Sequence, residues 1–372
     1  MAEKSLQKHH REPWIHIAKR SEMPGWQAWL IRLAAIAIAF VLVGIISSLL
    51  VGESIGKVYG IMIRGVFGRL FEGQFSSKMI WRFLQSTAIL LCLSLAVTPA
   101  FKMKFWNCGA EGQALIGGLV AMICMMKLTG LPYWLLLVVI VVTSTLAGAI
   151  WGLIPALFKA QYGTNETLFT LMMNYVATQI TAYYVYLVGK GSGTINPVST
   201  GNLPVLFNAP YLLNILIVTV LTVALFIYLK HSKQGYEITV VGESQNTARY
   251  IGINVKKVII RTMMISGALC GVAGMLLVAG TNHSVNTNTV GGQGFTAIMV
   301  SWLGQFNAFI MAAMSALIVF LKSGAAKVAD TYFLNSSYAD IVSGIVILFL
   351  VGCEFFIRYT IKFRHNKKEE TV

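Results

Sequence analysis

The chain has 372 residues, of which 56% are hydrophobic and 12% are charged. Soluble domains are about 45–50% apolar and about 25% charged, so this composition excludes an ordinary water-soluble protein and indicates an integral membrane protein. The formal net charge is +15. In a soluble protein that charge would suggest nucleic acid as a partner. Here the basic residues lie mainly at the ends of apolar segments, where they set the orientation of a membrane protein. We therefore expect lipid, and not nucleic acid, as the partner of these charges.

Apolar segments recur from residue 28 to residue 358, and a transmembrane helix needs about 20 such residues. The polar head before the first segment is too long and too charged for a cleaved signal. The eighth segment is too short to cross alone as a helix, so it either extends into residues Thr287–Gly294 or forms a broken helix inside the bundle. In chain order the ten predicted spans are Ala28–Val51, Met79–Phe101, Asn107–Leu128, Tyr133–Leu157, Glu166–Val188, Pro210–Leu229, Val258–Gly280, Phe295–Leu303, Phe306–Leu321 and Tyr338–Arg358.

These spans predict an all-α, polytopic membrane bundle with a head (1–27), one transmembrane domain (28–358) and a basic tail (359–372). Both termini are expected in the cytoplasm and the chain in the plasma membrane, because that orientation places most basic residues inside. Segment Gly52–Lys78 is the exception, since it then lies outside with four basic residues. Its apolar residues recur at helical spacing, which predicts an amphipathic helix on the outer surface.

Motifs for catalysis are missing from the sequence. Gly52–Lys57 is one residue short of a phosphate-binding loop, and neither HExxH nor GxSxG occurs. The cysteines form no CxxC pair and all lie in or beside apolar segments, as small hydrophobic residues do: Cys92, Cys108, Cys124, Cys270 and Cys353. We therefore predict no enzyme activity, no metal site and no cofactor; ATP, if it powers the protein, is hydrolysed by another polypeptide.

The most informative motif is Trp106–Gly118, at the beginning of the third span. It places Asn107, Glu111 and Gln113 among glycines at the mouth of an otherwise apolar helix. Polar residues inside membranes are costly and tend to face a cavity or a partner. Glu111 is either an acid in the first turn that is stabilised by the helix dipole or part of a bend that lines a translocation path.

A second polar cluster, Thr281–Asn288, precedes Gly291–Gly294 and carries no formal charge. Its amides and hydroxyls suit a neutral, hydroxyl-rich solute, although an ordinary external loop would look the same. Asn282, Asn286 and Gln293 are its candidates for the path.

The fifth span contains a third polar group. Asn174 and Tyr175 lie inside it, and Thr178 shares a helix face with Asn174. Two interpretations remain open for this group, namely hydrogen bonding between helices and lining of the path.

The basic loop after the sixth span contains a short helical pattern, Glu243–Tyr250, between Gly242 and Gly252. A helix lying across the membrane face could bind a motor subunit, and a solvated loop is the alternative. The candidate contact residues are Gly242, Glu243, Arg249, Tyr250, Ile251 and Gly252.

The chain resembles a known family at these motifs. Phe105–Gln113 resembles the FNIGAEGQ signature of ATP-binding-cassette (ABC) importer permeases for nucleosides and simple sugars, which belong with the ribose and branched-chain amino-acid permeases. Tyr162–Tyr175, Gly242–Ile253 and Gly292–Gly304 resemble three further motifs in the same order, and Tyr59–Gly68 matches an external one. The resemblance runs from about residue 28 to 358.

The chain departs from the family pattern at three places. Phe105-Trp106 stands where Leu-Phe is usual, Ser301-Trp302 replaces small or aliphatic residues, and Asn307-Ala308 stands where Asn-Pro is frequent.

The resemblance implies a permease that forms the path with a second permease. Two cytoplasmic ATPases would power it, an external lipoprotein would deliver the solute, and Gly242–Ile253 would be the coupling element. We predict transport of a nucleoside or, next, a simple sugar. The rival from another class is an ion-coupled secondary transporter of a small neutral solute, which would need ionisable residues at mid-span. The centres of the predicted spans are nearly free of them.

Overall fold

The structure is a computed structural model and describes residues 15–20, 24–69, 74–75, 77–189, 191, 193–207, 209, 211–335 and 337–363. Helices make up most of this part of the chain, which confirms the predicted all-α class. The helices are α1 Gly25–Val51, α2 Ile55–Phe67, α3 Ser77–Lys102, α4 Ala110–Lys127, α5 Tyr133–Tyr162, α6 Glu166–Gly189, α7 Leu212–His231, α8 Lys233–Glu243, α9 Gln245–Tyr250, α10 Val255–Leu277 with a π-helical turn Val278–Asn282, α11 Gln293–Leu303, α12 Ala308–Tyr332 and α13 Ser337–Arg358. Short strands are β1 Ile15–Lys19, β2 Gly68–Arg69, β3 Gln74–Phe75 and β4 Tyr359–Phe363.

Each of the ten predicted spans coincides with a helix: α1, α3, α4, α5, α6, α7, α10, α11, α12 and α13. Eight of the described helices are long and apolar enough to cross a membrane, and α6 and α11 are the two spans outside that set. The largest error concerns α12, which we predicted to end at Leu321 but which continues to Tyr332. The helix expected within Gly52–Lys78 is α2.

The chain divides into two compact units, residues 1–58 with 340–372 and residues 59–339. In the first unit α1 and α13 contact each other through an ion pair, in which Arg32 Nη2 lies 2.7 Å from Glu354 Oε1. β1 pairs antiparallel with β4, from Ile15 opposite Phe363 to Lys19 opposite Tyr359. The segments that flank α1 and α13 therefore lie at the same end of this unit, as an even number of spans requires. The predicted division into head, transmembrane domain and tail stays a prediction.

The second unit is built around α4, α5 and α10, which approach each other through glycines. A Cβ atom on Gly117 would lie 2.5 Å from Gly271 Cα, and one on Gly152 would lie 2.8 Å from the Met263 carbonyl oxygen. Such contacts leave no room for side chains, so the backbones of the three helices touch. Small residues allow this close packing in membranes, where dispersion forces hold helices together.

Two helices of this unit begin inside the bundle. α4 begins beside Asn107, which hydrogen-bonds Ser266 on α10. Ser266 lies eleven residues after Val255, the first residue of α10, so α4 begins about 16 Å from that end of α10 at 1.5 Å per residue. This depth corresponds to about half of the roughly 30 Å hydrocarbon core.

α11 begins beside Glu111 in the first turn of α4 and ends beside the last turns of α3. Ser301, near its end, hydrogen-bonds Thr98 in the last turns of α3 (3.0 Å between hydroxyl oxygens). Thr98 also contacts Met311 at the beginning of α12. The eighth predicted span is therefore a half-length helix, α11, that follows a non-helical segment, residues 283–292. The broken helix that was one of two expectations for this span is confirmed.

We predict that Gly117→Ala destabilises the protein, because its methyl group would collide with the α10 backbone. Overpacking of this kind costs about 1–3 kcal/mol. Thermal unfolding of the purified protein in detergent measures the effect. Gly130→Ala is the matched control, since a Cβ atom there meets nothing within 4 Å. Equal melting temperatures for the two variants would contradict the close packing of α4 against α10.

Candidate functional site

The amide groups of Asn107 and Gln113 form a closed pair just before and within the first turns of α4. Asn107 Nδ2 donates to Gln113 Oε1 (3.2 Å), and Gln113 Nε2 donates to Asn107 Oδ1 (3.1 Å). Asn107 Nδ2 also donates to Ser266 Oγ (3.0 Å), and its Oδ1 accepts from the Gly109 N–H (3.1 Å). Both side chains are buried. The hydrogen-bonding capacity of Asn107 is thus used inside the protein, where it joins α4 to α10.

The Glu111 carboxylate caps another helix. Oε1 accepts a hydrogen bond from the Gly292 N–H (2.8 Å) and Oε2 accepts one from the Gly294 N–H (2.7 Å), at the beginning of α11. Gly292 is the N-cap residue and has no side chain to do this itself. The N-terminal N–H groups of a helix need acceptors, and a negative charge there is favoured by the helix dipole. The negative charge of Glu111 is therefore stabilised by the positive N-terminal end of the α11 dipole as well as by that of its own helix, α4.

The first turn of α4 is capped in turn by α6. Asn174 Oδ1 accepts from the Gly112 N–H (2.9 Å), and Asn174 Nδ2 donates to the Cys108 carbonyl oxygen (2.8 Å). Thr170 Oγ1 accepts from the Cys108 N–H (3.1 Å). Asn174 thus forms the interhelical hydrogen bonds that were one of its two interpretations. Tyr175 points away and is 64% exposed.

Asn282 and Asn286, two of the three candidates of the second polar cluster, lie apart from these hydrogen bonds. Asn286 forms a local turn, in which Oδ1 accepts from the Asn288 N–H (2.9 Å). Asn282 is exposed in the π-helical turn, and Gln293, partly buried, is the first residue of α11 next to the Glu111 contacts. Among the described residues, Tyr175, Asn282 and Asn286 make no hydrogen bond to the polar cluster at the beginning of α4. That any of these residues lines a path stays a prediction.

Three buried residues of this region escaped the sequence analysis, namely Thr170, Ser266 and Asn214. Asn214, on α7, donates to the Gly280 carbonyl oxygen in the π-helical turn (3.2 Å). Each is a polar residue inside an apolar helix, and that signal alone could have marked it. Which helix each would bind depends on contacts between distant parts of the chain.

The predicted coupling helix is present as α9 but is shorter than expected. It begins after Ser244, whose Oγ accepts from the Thr247 N–H (3.2 Å). Glu243 instead ends α8, a helix that we did not predict. Gly242 is buried in α8 against the Lys102 carbonyl oxygen, so its role is close packing on α3. Gly252 has φ 82°, the left-handed conformation that ends helices.

α9 presents a distinct surface. Tyr250 is 91% exposed, and Arg249 and Ile251 are exposed beside it. Ala248 is fully buried in an apolar cluster with Phe105, in the loop between α3 and α4, and with residues of α8 and α10. The helix is therefore fixed on one side and accessible on the other.

A membrane-embedded helical bundle with two helices that begin at its centre is the architecture of a transport protein. The chain belongs to the family described as the branched-chain amino acid transport system / permease component, which matches residues 79–351. It is a multi-pass membrane protein and a transport component.

Several curated proteins are similar to the chain. The guanosine ABC transporter permease protein NupP of Bacillus subtilis is 30% identical over 85% of this chain and 91% of its own length. The glucose ABC transporter permease protein TsgB13 of Haloferax volcanii is 26% identical over 95% of each chain. A second guanosine ABC transporter permease protein of Bacillus subtilis, NupQ, is 28% identical over 54% of this chain and 67% of its own length. No solved structure matches the chain significantly.

We predict that Asn107→Ala lowers the free energy of unfolding by about 1–3 kcal/mol, because it leaves Gln113 and Ser266 buried without their partner. Thermal unfolding in detergent measures this loss. Asn288→Ala, in an exposed turn, is the control and should unfold as the wild type does. An unchanged melting temperature for Asn107→Ala would show that the amide pair contributes nothing to stability.

Proposed function

We propose that this chain is the membrane-spanning permease subunit of an ABC importer and that its solute is a nucleoside or, next, a simple sugar. The central observation is the meeting of α4 and α11 in the middle of the bundle, where Glu111 bonds Gly292 and Gly294. Broken helices that meet at mid-membrane are typical of solute sites in transporters. The names of the relatives, which specify guanosine and glucose, support the solute classes.

A separate ATPase would bind at α9. The buried cluster around Ala248 contains Phe105, which lies two residues before Asn107. A force on α9 therefore reaches the polar cluster at the beginning of α4 through packed side chains. This continuous contact supports Gly242–Ile253 as the coupling element, with Tyr250 and Arg249 as the residues that the ATPase would contact.

The path would form between this chain and a second, different permease. Two guanosine permeases of one organism, NupP and NupQ, both resemble the chain, which supports a pair of related but unequal subunits. An external lipoprotein would deliver the solute. The pairing of β1 with β4 places both flanking segments at one end of their unit, and the basic residues favour the cytoplasm for that end.

Transport by the reconstituted importer tests this function. Vesicles that contain this chain, its partner permease, the ATPase and the binding protein should accumulate labelled guanosine when ATP is supplied. A proton or sodium ionophore should leave the uptake unchanged. Uptake that needs an ion gradient and no ATP would identify the rival, an ion-coupled secondary transporter, and would overturn the proposal.

We predict that Tyr250→Ala weakens binding of the ATPase about 30-fold, because a fully exposed aromatic anchor contributes about 2 kcal/mol to an interface. Arg249→Glu in the same chain should add to this loss. Co-purification of the ATPase and solute-stimulated hydrolysis are the two measurements.

Tyr186→Ala is the control for this experiment, since Tyr186 is also an exposed tyrosine, at 68%, but lies in the last turn of α6. It should retain the ATPase. Wild-type retention of the ATPase by the Arg249/Tyr250 double variant would exclude α9 as the docking element. It would favour the other expected cytoplasmic segment, Lys159–Glu166, whose Ala160 lies in the same buried cluster as Ala248.

A further inference from the structure

Two tryptophans that depart from the family pattern lie against each other. The rings of Trp106 and Trp302 stack with centroids 5.2 Å apart and an angle of 19° between their planes. Phe101 packs edge-on against both, at 5.6 Å from Trp106 and 6.4 Å from Trp302. The two residues are 196 positions apart in the sequence, and only the fold brings them together. Substitutions that meet in space point to a shared role.

The stacked pair is accessible. Trp106 is 43% exposed and Trp302 is 37% exposed. Neither indole N–H has a hydrogen-bond partner among the described residues, although a buried or lipid-facing indole normally finds one. Two large planar side chains are therefore partly accessible, and each carries an indole N–H that no described residue accepts.

The position of the pair favours a path over lipid. Trp106 directly precedes Asn107, and Trp302 lies in the last turn of α11. Phe295, Met299 and Trp302 recur at helical spacing and are all exposed, so they form one face of this half-length helix. The segment before α11, residues 283–292, has no helical structure, and non-helical backbone occurs at membrane depth only inside protein or along a cavity. The exposed face of α11 therefore suits a solute path.

We propose that Trp106 and Trp302 form a stacking surface for the planar base of a nucleoside in the half of the path nearer α9. This inference rests on the proposed function and specifies where the solute binds. Stacking on aromatic side chains suits every base, since each has a π face. The face of α11 carries no charged side chain, which fits a neutral solute, and the free indole N–H groups can donate to base or ribose oxygens. A hexose offers no planar ring of this kind.

Uptake by the reconstituted importer tests the proposal. Trp106→Leu and Trp302→Leu remove the aromatic face but keep apolar bulk, and Trp106→Phe and Trp302→Phe keep a ring. We expect each leucine variant to lower the efficiency of guanosine uptake at low concentration about tenfold or more, and the phenylalanine variants to retain most of it. Trp134→Leu is the matched control, since Trp134 is an exposed tryptophan in the first turn of α5, and it should transport as the wild type does.

Three results overturn the proposal in distinguishable ways. Wild-type guanosine uptake by both leucine variants would show that the pair does not contact the base. The leucine variants could instead lose the partner permease on co-purification while the complexes that do assemble take up guanosine normally. That result would assign the tryptophan pair to the interface between the two permeases. Failure of the wild-type complex to take up any nucleoside would instead overturn the proposed function itself.

Discussion

Two helices of this protein begin inside the bundle, and the free N–H groups at each beginning must find acceptors within the protein. The hydrocarbon interior offers no water to satisfy them. Glu111 supplies the acceptor for α11, and Asn174 supplies it for α4. Each of these caps comes from a different helix: α4 caps α11, and α6 caps α4. The three helices therefore fix one another's positions. A carboxylate between two helix N-termini also balances their positive ends.

This constraint explains the packing around the meeting point. A Cβ atom on Gly294 would lie 2.7 Å from Glu111 Cα, and one on Gly112 would lie 2.8 Å from Asn174 Oδ1. Glycine is required at both positions because the capping groups must come this close. The amide pair of Asn107 and Gln113 then fixes the same region to α10. Through Phe105 the region is also in contact with α9, so the centre of the bundle and its proposed coupling surface form one packed structure.

The sequence predicted the spans well because about 20 apolar residues are a strong local signal. It also grouped Asn107, Glu111 and Gln113, but their partners Ser266, Gly292 and Gly294 lie more than 150 positions away, and no local pattern reports such pairing. α8 was missed because two glycines and mixed polarity hid a helix that buried contacts stabilise, Ile238 and Val241 among them. The stacking of Trp106 on Trp302 could likewise not be predicted from the sequence, because the two residues are far apart in the chain and come together only in the folded protein.

Hydrogen exchange at the beginning of α11 tests the central claim, that Glu111 caps this helix from α4. In Glu111→Ala the amides of residues 292–296 should exchange faster than in the wild type, Glu111→Gln should lie between them, and the amides of α10 from 255 to 265 should keep their protection. Equal protection of residues 292–296 in all three proteins would contradict the account, because the beginning of α11 would then be held without the Glu111 carboxylate.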